Sequence, residues 1–279
     1  MKIAIQGELG SFSHQAALRS VPEATVIPCV LSADAFDRLR KGKVDAIMIP
    51  IENTLAGSVV EHYDLLREHQ VSIEREIVVR IEHHVIGIRD SNIEEVQRVY
   101  SHPVALAQCR SFFEQHPGIE PIAFYDTAGA VKQIVQLRDR HSAAIAGIQA
   151  AEIYGGRVLV EAVEDNAANF TRFVLLREGT PASPPAGTHK LSICCRVSNR
   201  PGALAAVLAE VTAAGGNLTH LQSRPVHGRP WQYHFFIDVV MPNAGATEQL
   251  LDRMSGLGST CRLLGQFEPA VLEGLGGGD

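Results

Sequence analysis

Through the first two thirds of the chain, short apolar runs alternate with amphipathic stretches. "KIAIQ" (2–6), "ATVIP" (24–28), "VDAIMIP" (44–50), "IEPIAFY" (119–125) and "SAAIAG" (142–147) have the length and composition of buried strands. Between them, "SADAFDRLRKG" and "TAGAVKQIVQLRD" place apolar residues at helical spacing. That alternation predicts an α/β fold with largely parallel sheets. Segment 71–88, "VSIEREIVVRIEHHVIGI", is too long for one ordinary strand. It predicts a crossing from one α/β lobe to a second, with 157–176 returning and a cleft between the lobes.

The pattern changes after "REGTPASPPAGTH" (177–189), which is rich in Pro, Gly and small polar residues and has no periodicity. Beyond it come a strand, "HKLSICCRVS", a helix, "RPGALAAVLAEVTAAGG", two strands, "NLTHLQSRPV" and "RPWQYHFFIDVVM", a helix, "ATEQLLDRMSG", and a last strand, "TCRLLGQFE". This βαββαβ order predicts a ferredoxin-like domain. The expected boundaries are a two-lobed domain over 1–178, a linker over 179–188, the ferredoxin-like domain over 189–268 and a flexible tail over 269–279.

Composition narrows the function classes. With 279 residues, 46% of them apolar, the chain can bury more than one core. A net charge of −6 argues against a dedicated nucleic-acid binder. No apolar run approaches the ~20 residues that span a bilayer, so no membrane association is expected. The start, "MKIAIQGELG", reads as a strand and turn with no signal-peptide core, and the expected location is the cytoplasm. The five cysteines form no C-x-x-C pair and are expected to be buried thiols, with Cys109 and Cys261 as core fillers. The twelve histidines include His83 and His84 but show no ligand spacing, so no metal site is expected.

Four turns, each leading from a strand into a helix, are candidates for chemistry: "GELGSFSHQAA", "PIENTLAGSVVEHYDLL", "SHPVALAQC" and "FYDTAGAVKQ". Ser58 with Glu61 reads as a capping box, His102 or Ser101 as the cap before Pro103, and Asp126 or Thr127 as the fourth cap. Each alone is an ordinary cap worth ~1 kcal/mol. Gathered at the carboxyl ends of strands, their helix N-termini would suit a small carboxylate. Two stretches ask for more than capping. Glu52 clusters with Pro50, Asn53 and Thr54 at a strand end, where a turn alone requires no glutamate. "NFTRF" (169–173) sends an amide, a hydroxyl and a guanidinium into an apolar strand.

In order and spacing, "GELGSFSHQAA", "PIENTLAGSV", "YDLL", "SHPVALAQC", "AAIA" with "AAEIYG", and "NFTRF" resemble the motifs of prephenate dehydratases. "RPGAL" and "NLTHLQSRP" resemble the two signatures of the regulatory ACT domain that follows in many of them. The resemblance implies a two-lobed, periplasmic-binding-protein-like (type II) catalytic domain and phenylalanine as allosteric inhibitor. It also implies the loss of CO2 and hydroxide from prephenate without metal or cofactor. It assigns Thr171 to the leaving hydroxyl; Asn169 would orient that group, Arg172 would fork onto a carboxylate, and Glu52 would complete the catalytic set. Ser11, Asn53, Thr54, Gly57, Ser58, His102, Gln108, Thr127 and Phe173 are the expected substrate contacts. Gly202, Ala203, Leu204, Asn217, Leu218, Gln222, Ser223, Arg224 and Pro225 are the expected phenylalanine cradle, shared across a homodimer or homotetramer.

Departures from the family pattern are "GELGSF" for G-P-E-G-T-[FY], Thr54 for Ser, "DTAGA" for S-T-A-x-A and Gln222 for the glutamate of E-S-R-P. Arogenate, which carries an amino group where prephenate has a keto group, is an alternative substrate. A non-catalytic amino-acid or carboxylate sensor is the alternative from another class.

Overall fold

The computed structural model describes residues 1–257 and 259–270. Of the expected flexible tail, everything from 271 on lies outside the described residues. The chain divides into two compact units, one of Met1–Gly57 with Val78–Phe173, the other of Ser58–Ile77 with the described residues from Val174 on. Among the described residues no helix is long and apolar enough to cross a membrane.

The first unit contains two α/β sheets. In one, Lys2–Gln6 lies between Thr25–Cys29 and Ala46–Asn53, all parallel, with Ile3 level with Val26 and Ala46. Phe170–Glu178, whose first four residues belong to this unit, lies beside Ala46–Asn53. In the other, Arg98–Ser101 lies between Glu120–Ala123 and Ser142–Ala146, again parallel. There His84–Gly87 and then Arg157–Val160 extend the sheet antiparallel. Both sheets thus run second, first, third strand and then a strand from the far side of a crossing, the repeated order of a two-lobed, type II periplasmic-binding-protein-like fold. Full burial on both faces explains why "AIMI" and "SAAIA" are continuous apolar runs rather than alternating ones.

The long segment 71–88 breaks where a crossing was expected, into Val71–Arg80 and His84–Gly87. Its outgoing and return legs bond to each other: the Ile81 amide donates to the Asn169 carbonyl at 2.7 Å and the Val163 amide to the His83 carbonyl at 2.8 Å. The strand Arg98–Ser101 runs into the turn "SHPVALAQC", where a strand was expected but without bounds. "RVYS" is only four residues long and follows charged sequence, so it gives no apolar run to read.

The second unit holds the βαββαβ domain. Its sheet runs Asn217–Pro225, Tyr233–Met241, His189–Arg196 and Thr260–Phe267, antiparallel throughout. Helices Ala203–Ala213 and Ala244–Gly256 cover one face, where Val207, Val211, Leu250 and Met254 meet Ile193, Ile237 and Val239. Thr260–Phe267 also touches Val71–Arg80 in parallel at Gly265 and Ile73. A side chain at Gly265 would collide with the Ile73 backbone, so the contact demands glycine.

Two expectations need correction here. Ser58 caps no helix: it sits in the two-residue strand Gly57–Ser58, and the following helix, Val60–Glu68, starts without a side-chain cap. With Ser58 ending that strand, the helix starts one residue later than a Ser58 cap would set it, and Val59 takes the cap position. Cys261 is not a lone core filler, because it is bonded to Cys195 as a disulfide. The two cysteines stand directly opposite each other on neighbouring antiparallel strands, with Cα atoms 4.1 Å apart. Cys29, Cys109 and Cys194 are buried free thiols.

Candidate active site

The strand ends carrying "PIENT" and "NFTRF" are joined by Thr54. Its amide donates to the Phe170 carbonyl, its hydroxyl donates to the Ala168 carbonyl, and the Phe170 amide donates back to that hydroxyl, each at 2.9 Å. Both hydrogen-bonding capacities of this side chain therefore hold the two segments in register.

Beside this clamp, four polar side chains from three parts of the sequence form a closed network. Asn53 is its reference point. The amides of Leu55 and Ala56 donate to Asn53 Oδ1 at 3.0 and 2.8 Å, and backbone amides can only donate. Which end of the Asn53 amide is oxygen is thereby fixed, and Nδ2 faces the other way. Asn53 Nδ2 donates to Asn169 Oδ1 at 2.7 Å, to Thr171 Oγ1 at 2.9 Å and to the Phe170 carbonyl at 3.1 Å. Asn169 therefore accepts at Oδ1, and its Nδ2 donates to Gln108 Oε1 at 3.0 Å. Gln108 Nε2 closes the ring on Asn53 Oδ1 at 3.3 Å.

This sequence of donors has a chemical consequence. Thr171 receives a hydrogen bond from Asn53, so its own proton is available to another acceptor. Asn169 is fully buried and Thr171 nearly so, which strengthens these bonds relative to water. The arrangement holds one hydroxyl as an oriented donor.

His83 also touches the network, with Nε2 3.1 Å from Gln108 Oε1. It is buried, its ring meets Phe12 edge-on at 5.6 Å, and its amide donates to Glu164 Oε2 at 2.9 Å. Burial holds its basicity below that of an ordinary histidine. Sequence reading missed it because a histidine after an apolar strand carries no local signal.

The other expected site residues divide into groups. Glu52 directly precedes Asn53 at the end of Ala46–Asn53, and Arg172 directly follows Thr171 in Phe170–Glu178, both half-buried. Phe173 is buried in the strand. Asp165 accepts from the amides of Arg110 and Ser111, both at 2.9 Å. Ser11 caps Phe12–Ser20, accepting from the His14 amide at 3.3 Å. His102 caps Pro103–Ala107 through Nδ1, which accepts from Val104 at 3.3 Å. Gly57 adopts φ +79°, the left-handed region that glycine enters without strain.

Thr127 opens the helix Thr127–Leu137, and Asp126 caps it through Oδ1, 2.6 Å from the Gly129 amide. A Cβ on Gly7 would lie 2.5 Å from Asp126 Oδ2, so glycine there lets the first turn close over this carboxylate. Beside it, Glu8 accepts from Tyr125 at 3.1 Å and from Lys132 at 2.9 Å. Burial first, and then the charge of Glu8, push the Asp126 carboxyl up to about 6.

In the ferredoxin-like domain, Gly202 precedes Ala203–Ala213 with φ +77°, and no atom lies within 4 Å of where a Cβ would stand. Glycine is required here by the backbone angle rather than by a close neighbour in this chain. Leu204 lines a hollow of about 140 Å³ with Val197, Asn199, Arg200, Trp231 and Tyr233. Asn217, Leu218, Gln222, Ser223, Arg224 and Pro225 all lie on the strand Asn217–Pro225. Arg224 is engaged within its own unit, where its guanidinium forks onto Asp64 at 2.6 and 3.2 Å. On the same strand, His220 Nε2 lies 2.7 Å from the Tyr63 hydroxyl.

The family model described as prephenate dehydratase matches residues 3–181, and that of the ACT domain residues 192–254. A bifunctional chorismate mutase/prephenate dehydratase of Stutzerimonas stutzeri is 33% identical over 275 residues, 98% of this chain and 74% of the relative. An arogenate dehydratase/prephenate dehydratase of Arabidopsis thaliana is 34% identical over 96% of this chain and 72% of its own. Among solved structures, GqqA, a quorum quenching acylase, superposes with a TM-score of 0.88 at 34% identity, covering 97% of this chain and 98% of that one. The prephenate dehydratase of Arthrobacter aurescens in complex with L-Phe gives 0.86 at 28% identity, covering 96% and 90%. With its polar network set on the two motif-bearing strand ends and a ferredoxin-like domain following in the sequence, the chain belongs to the prephenate dehydratase family and carries an ACT domain.

Proposed function

We propose that this protein converts prephenate to phenylpyruvate and is inhibited by phenylalanine bound at its ACT domain. In that reaction the bond to the ring carboxylate breaks and CO2 leaves. Its electron pair moves into the ring, and the ring hydroxyl departs as hydroxide. Aromatisation drives the step, so the protein's tasks are to hold two carboxylates and to stabilise the departing oxygen. The observation that carries the reading is Thr171 held by Asn53 with its proton free to donate. A threonine hydroxyl is too weak an acid to ionise near neutral pH, so it acts as a preorganised hydrogen-bond donor to the leaving oxygen. Arg172 is the proposed fork for one carboxylate, with Glu52 completing the catalytic set. The helix N-termini at Ser11, His102 and Thr127 offer amides for the other.

The Arthrobacter aurescens relative's complex with L-Phe supports phenylalanine as the regulator. In the proposed cradle, the helix start at Gly202 and the hollow by Leu204 belong to one subunit, and the exposed strand Asn217–Pro225 to its partner. Incubation with prephenate while phenylpyruvate is followed tests the reaction, and a parallel assay with arogenate tests the alternative that the Arabidopsis relative's name raises. Turnover of neither substrate, with phenylalanine still bound, would instead identify a sensor.

A further inference from the structure

We propose that His83 is a positioning residue for the Thr171 centre, which it serves as a neutral ring with its proton on Nε2. The inference rests on the reaction proposed above and on four hydrogen bonds whose direction is set from outside the network. The amides of Leu55 and Ala56 fix Asn53, Asn53 fixes Asn169, and Asn169 fixes Gln108 with Oε1 as acceptor. The last group in that series is His83. Facing an acceptor at 3.1 Å, Nε2 must carry the proton, which leaves a lone pair on Nδ1. Nδ1 has no hydrogen-bond partner among the described residues, which a buried lone pair tolerates far better than a buried N–H would.

Gln108 Oε1 has two acceptor sites, and Asn169 and His83 fill them both. The second bond is what His83 adds. It holds the Gln108 amide against rotation, which keeps Gln108 Nε2 on Asn53 Oδ1 and Asn53 Nδ2 on Thr171. His83 need not touch substrate to do this. Charging the ring would set a second N–H in a site with no acceptor beside it. Burial, the largest effect, and the neighbouring His84 oppose the charged ring, whereas the bond to Gln108 and the charge of Glu164, which accepts the His83 amide, favour it. The neutral ring is the form that the network requires.

The test is a double-mutant cycle with a conservative control. His83→Leu removes the donor and should lower kcat about tenfold while KM stays within about twofold, the pattern of a lost transition-state interaction. His83→Gln, which places an amide N–H at similar reach, should restore most of that loss. With Gln108 already replaced by Leu, His83→Leu should cost almost nothing further. Equal losses in both backgrounds, or a glutamine variant as poor as the leucine one, would overturn the role. Long-range nitrogen–proton NMR of the unmodified protein provides a readout that needs no turnover: a proton on Nδ1 near neutral pH would overturn the assignment, and one on Nε2 supports it. Failure of the parent to turn over prephenate or arogenate would refute the proposed reaction, and the NMR result would still decide the tautomer.

Discussion

Replacing Thr171 by alanine removes the one hydroxyl whose acceptor side is tied to Asn53 and whose proton is free. Because the bond it donates strengthens only as hydroxide leaves, the loss should fall on kcat, by ~10²–10³-fold, with KM little changed. Thr171→Ser keeps the hydroxyl and should recover much of the rate; steady-state kinetics on prephenate compare the two. Arg172→Lys keeps the charge but loses the planar fork. KM should then rise if Arg172 grips a carboxylate, and unchanged kinetics would remove it from that role. At this scale the sequence exposed the donors but not their wiring. "NFTRF" and "PIENT" stood out because polar side chains led into or ended apolar strands. That Asn53 faces Asn169 across 116 positions, and Gln108 across 55, follows only from the crossing of the chain between lobes. His83 was passed over because its partner is a side chain 25 residues away.

Elements were legible wherever periodicity was local. The five apolar runs became strands, the caps at His102 and Asp126 formed, and the βαββαβ order emerged as read. What failed depended on register between distant segments. Ser58 was claimed by a short strand, and the Cys195–Cys261 bond required two strands 66 residues apart to place those positions opposite each other. The helix Thr127–Leu137 carries a pH signature that can be measured. Its cap, Asp126, titrates near 6 in the fold, above the ordinary aspartate value, so the folded state holds the proton more tightly than the unfolded chain. By linkage this contribution raises stability as pH falls through about 6 and weakens the fold above it. An asparagine in its place would keep an oxygen for the Gly129 amide but could not titrate. Asp126→Asn should therefore flatten the stability profile between about pH 4.5 and 7.5 by on the order of 1–2 kcal/mol, since the carboxyl is only partly buried. Urea unfolding at both pH values checks this, and an identical slope in parent and variant would contradict it.

At the scale of the whole molecule the question is regulation, and it depends on assembly. The strand Asn217–Pro225 is last in the order of its sheet, and Leu218 and Leu221 on it are exposed. An edge with apolar residues favours pairing with a second copy, so light scattering should show at least a dimer; a monomer with and without phenylalanine would contradict the shared cradle. Within that cradle two positions give opposite expectations. Gly202 sits at φ +77°, which a β-branched side chain enters only with strain, and the distortion falls at the helix start meant for the ligand carboxylate. Gly202→Val should therefore abolish inhibition by phenylalanine. Gln222 is half-buried and its amide donates to the Ser223 carbonyl at 2.9 Å, so its side-chain oxygen is left for a ligand ammonium. A neutral oxygen accepts more weakly than a carboxylate by on the order of 1 kcal/mol, or roughly five- to tenfold in affinity. Gln222→Glu should accordingly make inhibition tighter by about that factor. Titrating parent and both variants with phenylalanine decides it: the ligand does not bind as described if glutamate leaves the inhibition curve unmoved or if valine leaves it intact.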